Sequence, residues 1–267
     1  MKNRYTAAAV QLHSHEDVES NLDAAKRWAE EAARRSARLV VLPELFNCLA
    51  RPEVMLRHAE EISGRTRQFM SRLAARLGVT LLAGSICERG LTPAKAHNTS
   101  LLFGPDGSLL AQYRKLHLFD VDLPGSVCYR ESDWLLPGDE VVAVDTDLGR
   151  LGLSICYDIR FPELFQLQRA DVLLVASAFT MPTGRDHWEV LLRARAIENQ
   201  AFVVAANQYG EHTPQLTTLG RSLLADPWGT VLSVAADGEG LALAEIDLDR
   251  QAEIRARLPS LKHRRQL

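Results

Sequence analysis

Cysteine is scarce and scattered: only Cys48, Cys87, Cys128 and Cys156 occur in 267 residues, and no two form a Cys-x-x-Cys pair. That spacing offers neither a zinc-ribbon ligand set nor a dense disulfide framework, so each reads as a free thiol. His13 and His15 are too few for a metal site and the other histidines are scattered, so no metal is expected. Long apolar runs are missing too. The longest stretch without Asp, Glu, Lys or Arg, residues 172–184, is interrupted by Pro182 and Thr183, whereas a membrane span needs about 20 apolar residues. The apolar stretch after Arg4 is about six residues long, too short for a signal-peptide core, and a cytosolic location is expected. Nor is there an excess of one charge. With 31 basic and 34 acidic residues and a net charge of −3, the chain lacks the footprint that phosphate-backbone binding needs, and nucleic acid is not an expected partner. No Gly/Ser/Pro-rich linker and no fixed-period repeat divides the chain, so residues 1–267 are expected to form a single domain.

What is present is an alternation of helices and strands. Residues 17–35 place Val18, Leu22, Ala25, Ala29 and Ala32 on one helical face. The run Leu39-Val40-Val41-Leu42 then reads as a strand buried on both sides, stopped by Pro43. A second helix at 66–77, closed by Gly78, leads into a strand at 79–83. Two tight-turn sequences, Gly104-Pro105-Asp106-Gly107 and Asp226-Pro227-Trp228-Gly229, separate strand-like runs and predict hairpins. Between them, strands at 151–155, 172–176 and 202–206 alternate with helices at 162–169 and 185–200. This grammar predicts layered α/β architecture with mixed sheets. Residues 261–267 read as a basic tail.

Three strand ends carry chemistry. Cys156 ends the run Leu151-Gly152-Leu153-Ser154-Ile155. Position alone leaves an inert buried thiol and a nucleophile about equally favoured. The segment resembles a Gly-x-Ser-x-Gly elbow, but its last position is Cys, so a serine nucleophile fails on the motif. Glu44 follows Leu39-Val40-Val41-Leu42-Pro43, where burial favours a general base, although a cap or ion pair would also suit it. Lys115 ends the second strand of the first hairpin and taken singly reads as a solvated lysine. A thiol, a base and a fixed cation together are the parts of an acyl-transfer site. His117, beside Lys115, offers a Cys-His alternative. Arg160, Arg185 and His187 are conceivable carboxylate anchors, with Arg160 better read as pairing Glu163.

The segments Leu42-Pro43-Glu44-Leu45, Arg114-Lys115-Leu116-His117-Leu118-Phe119-Asp120 and Cys156-Tyr157-Asp158-Ile159-Arg160-Phe161-Pro162-Glu163 resemble, in order, the three motifs of the nitrilase superfamily of carbon–nitrogen hydrolases. The resemblance covers nearly the whole chain. It implies a four-layer α-β-β-α sandwich, dimerisation, and a triad of Glu44 as general base, Lys115 as oxyanion stabiliser and Cys156 as nucleophile. It further implies a supporting Glu131 and an oxyanion-binding backbone N–H at Tyr157. The segment Ser177-Ala178-Phe179-Thr180-Met181-Pro182-Thr183-Gly184 is similar to the deaminated-glutathione amidase and ω-amidase branch. A cofactor-free thiol amidohydrolase of a small carboxylic acid amide is therefore expected, with an N-carbamoyl-amino-acid hydrolase or a non-catalytic scaffold as alternatives. Two departures stand out against the family pattern: a short segment after the cysteine motif that lacks a Gly before the next strand, and Ala176 in place of Pro.

Overall fold

Alternation along the first strand separates two cores. In β1 (Arg4–Gln11), Ala7 and Ala9 join one hydrophobic cluster while Ala8 and Val10 join another, as the two-residue period of a strand requires. β2 (Ala37–Val41) repeats the split, with Leu39 and Val41 on one side and Val40 on the other. The computed structural model describes residues 3–123 and 127–265. Met1 and Lys2, and Gln266 and Leu267 of the basic tail, lie outside the described residues.

The first half of the chain also contains α1 (Val18–Arg34), α2 (Pro52–Arg57), α3 (Arg65–Leu77), β3 (Thr80–Leu82), β4 (Ile86–Arg89), β5 (Ala96–Phe103) and β6 (Leu109–Arg114). A ribbon of β7 (Asp120–Leu123) and β8 (Val127–Arg130) follows, then β9 (Leu135–Leu136). The second half runs β10 (Ala143–Thr146), β11 (Gly149–Ile155), α4 (Pro162–Gln168), β12 (Val172–Ser177), α5 (Met181–Asn199) and β13 (Phe202–Asn207). It ends with the ribbon β14 (Tyr209–Thr213) and β15 (Leu216–Leu219), then β16 (Leu223–Ala225), β17 (Val231–Val234), β18 (Gly240–Asp247) and α6 (Leu248–Arg257).

Two sheets result. The first has the order β18-β1-β2-β3-β5-β4, with β6 and β9 also on β5; the second has β10-β11-β12-β13-β16-β17. Each has a parallel centre, β1-β2-β3 and β11-β12-β13. Leu39, Val41, Leu82 and Leu102 of the first sheet share a core with Leu153, Ile155, Leu174 and Val204 of the second. On the far side of the first sheet, Val40, Leu81 and Leu101 pack on Leu22, Ala25 and Ala29 of α1 and Leu73 of α3. Leu164 and Phe165 of α4, and Trp188 and Leu192 of α5, join the core of the second sheet. Burying each such Leu contributes about 1.5–3 kcal/mol. The layers are helix, sheet, sheet and helix, as expected. β18 carries the chain end back to the first sheet, pairing antiparallel with β1 from Arg4↔Asp247 to Gln11↔Gly240.

Differences from the sequence reading have local causes. α5 starts at Met181 rather than 185 because Pro182 lies in the first turn, where a missing N–H costs nothing. Gly184 is no helix stop: a Cβ there would lie 2.9 Å from the Leu219 side chain, so the glycine permits close approach of β15. Where the family pattern has Gly after the cysteine motif, Arg169 takes a left-handed conformation, φ 49°, to end α4, at a cost of about 1 kcal/mol. Ala176 lies within β12 between Ile155 and Ala206, a central position where proline would donate nothing to the ladder. The ribbons β7-β8 and β14-β15 were not anticipated.

Candidate active site

Cys156 follows the last residue of β11 and opens a tight turn, Cys156–Arg160. Its φ of 48° puts a non-glycine residue in the left-handed region, strain that persists only where surroundings fix it. Asp158, fully buried, supplies the brace. Its Oδ2 accepts from the Ile155 N–H at 2.8 Å and the Tyr113 hydroxyl at 2.7 Å, and its Oδ1 accepts from the His117 N–H at 3.1 Å. From the other side, Arg195 of α5 donates from Nε to the Ile159 carbonyl at 2.8 Å. The failed Gly-x-Ser-x-Gly motif is thus an elbow in geometry, with sulfur at its tip. Ser154 is buried and donates instead to the Leu174 carbonyl.

Glu44 stands just beyond β2, where Pro43 ends the strand. Oε1 accepts from Asn98 Nδ2 at 2.7 Å and from Lys115 Nζ at 3.0 Å, and Oε2 accepts from the Ala178 N–H at 2.8 Å. Lys115 follows β6 and is pinned by its own N–H, which donates to the Asn98 carbonyl. Only 1% of it is exposed. Its ammonium also lies 2.8 Å from Glu131 Oε2, and that oxygen accepts from the Phe119 N–H at 2.7 Å. One cation is therefore shared by two carboxylates, all three buried, an arrangement stable only while every member is present.

The electrostatics follow. Burial alone would lower the Lys115 pKa, but the Glu131 and Glu44 carboxylates reverse this and hold it well above its ordinary value. Burial pushes the Glu131 carboxyl up, opposed by Lys115. Burial, reinforced by the Glu44 carboxylate, also raises the Cys156 thiol well above its ordinary value, against the pull of Lys115. The resting sulfur is therefore a thiol, and attack requires a base to remove its proton during the step.

Glu44, Glu131, Cys156 and Tyr157 line one cavity of about 170 Å³; Lys115 does not line it but is bonded to both of its carboxylates. The fold thus brings the thiol, both carboxylates and the cation into one neighbourhood. His117 does not line this cavity; its Nδ1 lies 2.8 Å from Asp158 Oδ1 and its ring stacks on Phe161, so it braces the elbow and the Cys-His alternative loses its base. Arg160 does not pair Glu163. Its guanidinium sits over the Tyr157 and Phe179 rings and beside His187 Nδ1 at 3.3 Å. None of Arg160, Arg185 and His187 lines the cavity. The residues that sequence reasoning missed are Asn98, Asp158, Arg195 and the Ala178 N–H. The long-range hydrogen bonds that place them join positions 36 to 134 residues apart, and no periodicity marks them.

A carbon–nitrogen hydrolase family model matches residues 6–256. The chain is 44% identical over 266 residues to deaminated glutathione amidase of Synechocystis, covering 97% of this chain and 98% of that one. It is 40% identical over 264 residues to omega-amidase NIT2 of Homo sapiens, covering 98% and 95%. The crystal structure of the C. elegans NitFhit protein superposes with a TM-score of 0.93 at 40% identity; 99% of this chain is covered, but only 66% of that longer one. A sandwich of this topology, with a cysteine at the elbow and the ordered motifs around it, belongs to the carbon–nitrogen hydrolase family, the nitrilase superfamily, and so does this chain.

Proposed function

We propose that the protein is a thiol amidohydrolase that cleaves a terminal amide of a small carboxylic acid, deaminated glutathione or a related 2-oxo acid ω-amide, through a thioester on Cys156. The observation that carries this reading is the buried Lys115 ammonium held between Glu44 at 3.0 Å and Glu131 at 2.8 Å, which line one cavity with the Cys156 thiol. Glu44 takes the thiol proton as sulfur attacks the amide carbon. The carbonyl oxygen becomes an oxyanion, met by Lys115 and the Tyr157 N–H; loss of one such donor typically costs roughly 100- to 1,000-fold in rate. The C–N bond then breaks, the amine leaves with the proton held by Glu44, and a thioester remains. Water gives a proton to Glu44 and attacks the thioester, and sulfur leaves and regains its proton. Glu131 keeps Lys115 aimed and charged throughout. Glu44 and Lys115 come from the first sheet and Cys156 from the second, so the reading treats residues 1–267 as one catalytic unit.

The substrate class is supported by relatives named deaminated glutathione amidase and omega-amidase. Deaminated glutathione, α-ketoglutaramate, α-ketosuccinamate and N-carbamoyl amino acids form the test panel. Turnover of a 2-oxo acid amide with release of ammonia or amine, and an acyl mass increment on Cys156, is expected. Carbon dioxide accompanying ammonia, from N-carbamoyl substrates alone, would transfer the assignment to that sibling chemistry. No turnover and no adduct would reduce the protein to a scaffold.

A cytosolic location goes with this reading, supported by the four free cysteines. Among the described residues no helix is long and apolar enough to cross a membrane. Besides its substrate, the proposed partner is a second copy of the chain. Val190 and Ile197 of α5 are 64% and 51% exposed, and Ile197 packs on Gly229 next to Trp228, itself 59% exposed. Such a patch favours burial. Ile197→Glu is expected to convert a dimer to a monomer in sedimentation velocity; a wild-type monomer at micromolar concentration would end the idea.

A further inference from the structure

The catalytic cavity continues outward from Cys156. It adjoins a larger hollow of about 540 Å³, and the two share Ala50, Arg51, Thr213 and Gln215 as a common neck. Both carboxylates lining the inner cavity, Glu44 and Glu131, bind Lys115, and neither forms an ion pair with Arg51 among the described residues. Arg51 is the only basic side chain lining the inner cavity among the described residues. Glu16 also lines the outer hollow, and no ion pair joins it to Arg51 among the described residues. Arg51 has extended backbone, φ −63° and ψ 149°, and Pro52 follows, a pairing in which proline itself restricts the preceding residue. The next turn is anchored by buried Val54 and Met55. An arginine with no acidic partner among the described residues, set on restrained backbone between two cavities, with Thr213 and Gln215 as polar neighbours, matches a planar anion.

Resting on the amidase reading above, we propose that Arg51 is a specificity residue that pairs a substrate carboxylate at the neck, distant from the amide undergoing attack. The guanidinium meets a carboxylate through two parallel N–H donors, which a neutral group of the same shape cannot accept equally. The chain therefore selects amides of dicarboxylic character over neutral amides. The carboxylate belongs either to the acyl part, as in a 2-oxo dicarboxylic acid ω-amide, or to a leaving amine that extends into the outer hollow.

The test uses the full-length enzyme, Arg51→Met and Arg51→Lys, and three substrates. The first is an ω-amide with a free carboxylate on the acyl part. The second is the same amide with a primary alcohol in place of that carboxylate. The third is an amide whose carboxylate is on the amine. The readout is the ratio of kcat/KM for each acid to that for the neutral analogue. Because Arg51 is at a rim open to water, Arg51→Met is expected to lower that ratio about tenfold, with Arg51→Lys between. The substrate whose ratio falls identifies which end carries the anion. Ratios in Arg51→Met equal to wild type for both acids would overturn the proposal while leaving the amidase reading intact. A wild-type enzyme that turns over none of the three and forms no Cys156 adduct would overturn both.

Discussion

Cys156→Ala is expected to abolish amide hydrolysis, lowering kcat by about 10,000-fold or more, while the protein stays folded. The substitution removes one sulfur at the elbow and leaves its brace in place, the Asp158 bonds to Ile155, Tyr113 and His117. Glu44→Gln tests the base on the same fold. A glutamine of equal volume cannot accept from Asn98, Lys115 and the Ala178 N–H together, since one of its two ends is itself a donor. It also cannot take the Cys156 proton, so a fall of roughly 100- to 10,000-fold is expected. Because burial holds the thiol pKa well above its ordinary value, the folded state prefers the protonated sulfur. That preference stabilises the fold below the ordinary thiol pKa and is lost as pH rises through the elevated one. Alkylation of Cys156 without substrate should therefore keep accelerating above pH 9 instead of reaching a plateau near neutrality. A neutral plateau, or turnover by Cys156→Ala measured as ammonia or amine release, would remove the mechanism.

Lys115→Met is expected to be the most damaging change to stability. It leaves Glu44 and Glu131 buried without their shared cation, a defect of about 3–5 kcal/mol, or a fall in Tm of roughly 10 °C for a chain of this length. The sign of its pH dependence is fixed. Burial pushes the Glu131 carboxyl up and only Lys115 opposes it, so without the ammonium that carboxyl binds its proton more readily folded than unfolded, and the defect is deepest at neutral pH and shrinks as pH falls toward the ordinary carboxyl range. In the wild type, Lys115 itself stabilises the fold below its ordinary pKa, and that contribution disappears only as strong alkali reaches its raised value. Thermal unfolding of both proteins from pH 5 to 8 checks this. Parallel curves would show that the carboxylates are not buried with an uncompensated charge.

Much of this site was legible because three ordered motifs resemble those of the nitrilase superfamily, and because their residues sit where continuous apolar runs stop. Leu39 to Leu42 and Leu151 to Ile155 could only be interior strands, so Glu44 and Cys156 had to lie at their ends, and the turn at Gly104 to Gly107 set Lys115 at the end of a hairpin. What stayed illegible depends on folding at a distance. Nothing in the local sequence of Asn98 indicates that it orients Glu44, 54 residues away. The Ala178 amide is 134 residues from the carboxylate it holds. Arg160 and Glu163 suggested an ion pair by proximity, but aromatic faces nearby held the guanidinium instead. The start of α5 was misplaced because Pro182 and Gly184 act as breakers in most contexts and here serve a first turn and a tight crossing.

The division of the site between two sheets has one more consequence. Glu44 and Lys115 ride on one slab and Cys156 on the other, so their alignment depends on the interlocking of aliphatic side chains between the slabs. Catalysis in such a molecule is a gauge of registry. A slip of one slab over the other would silence the sulfur while every helix remained intact, and loss of turnover would precede loss of circular dichroism.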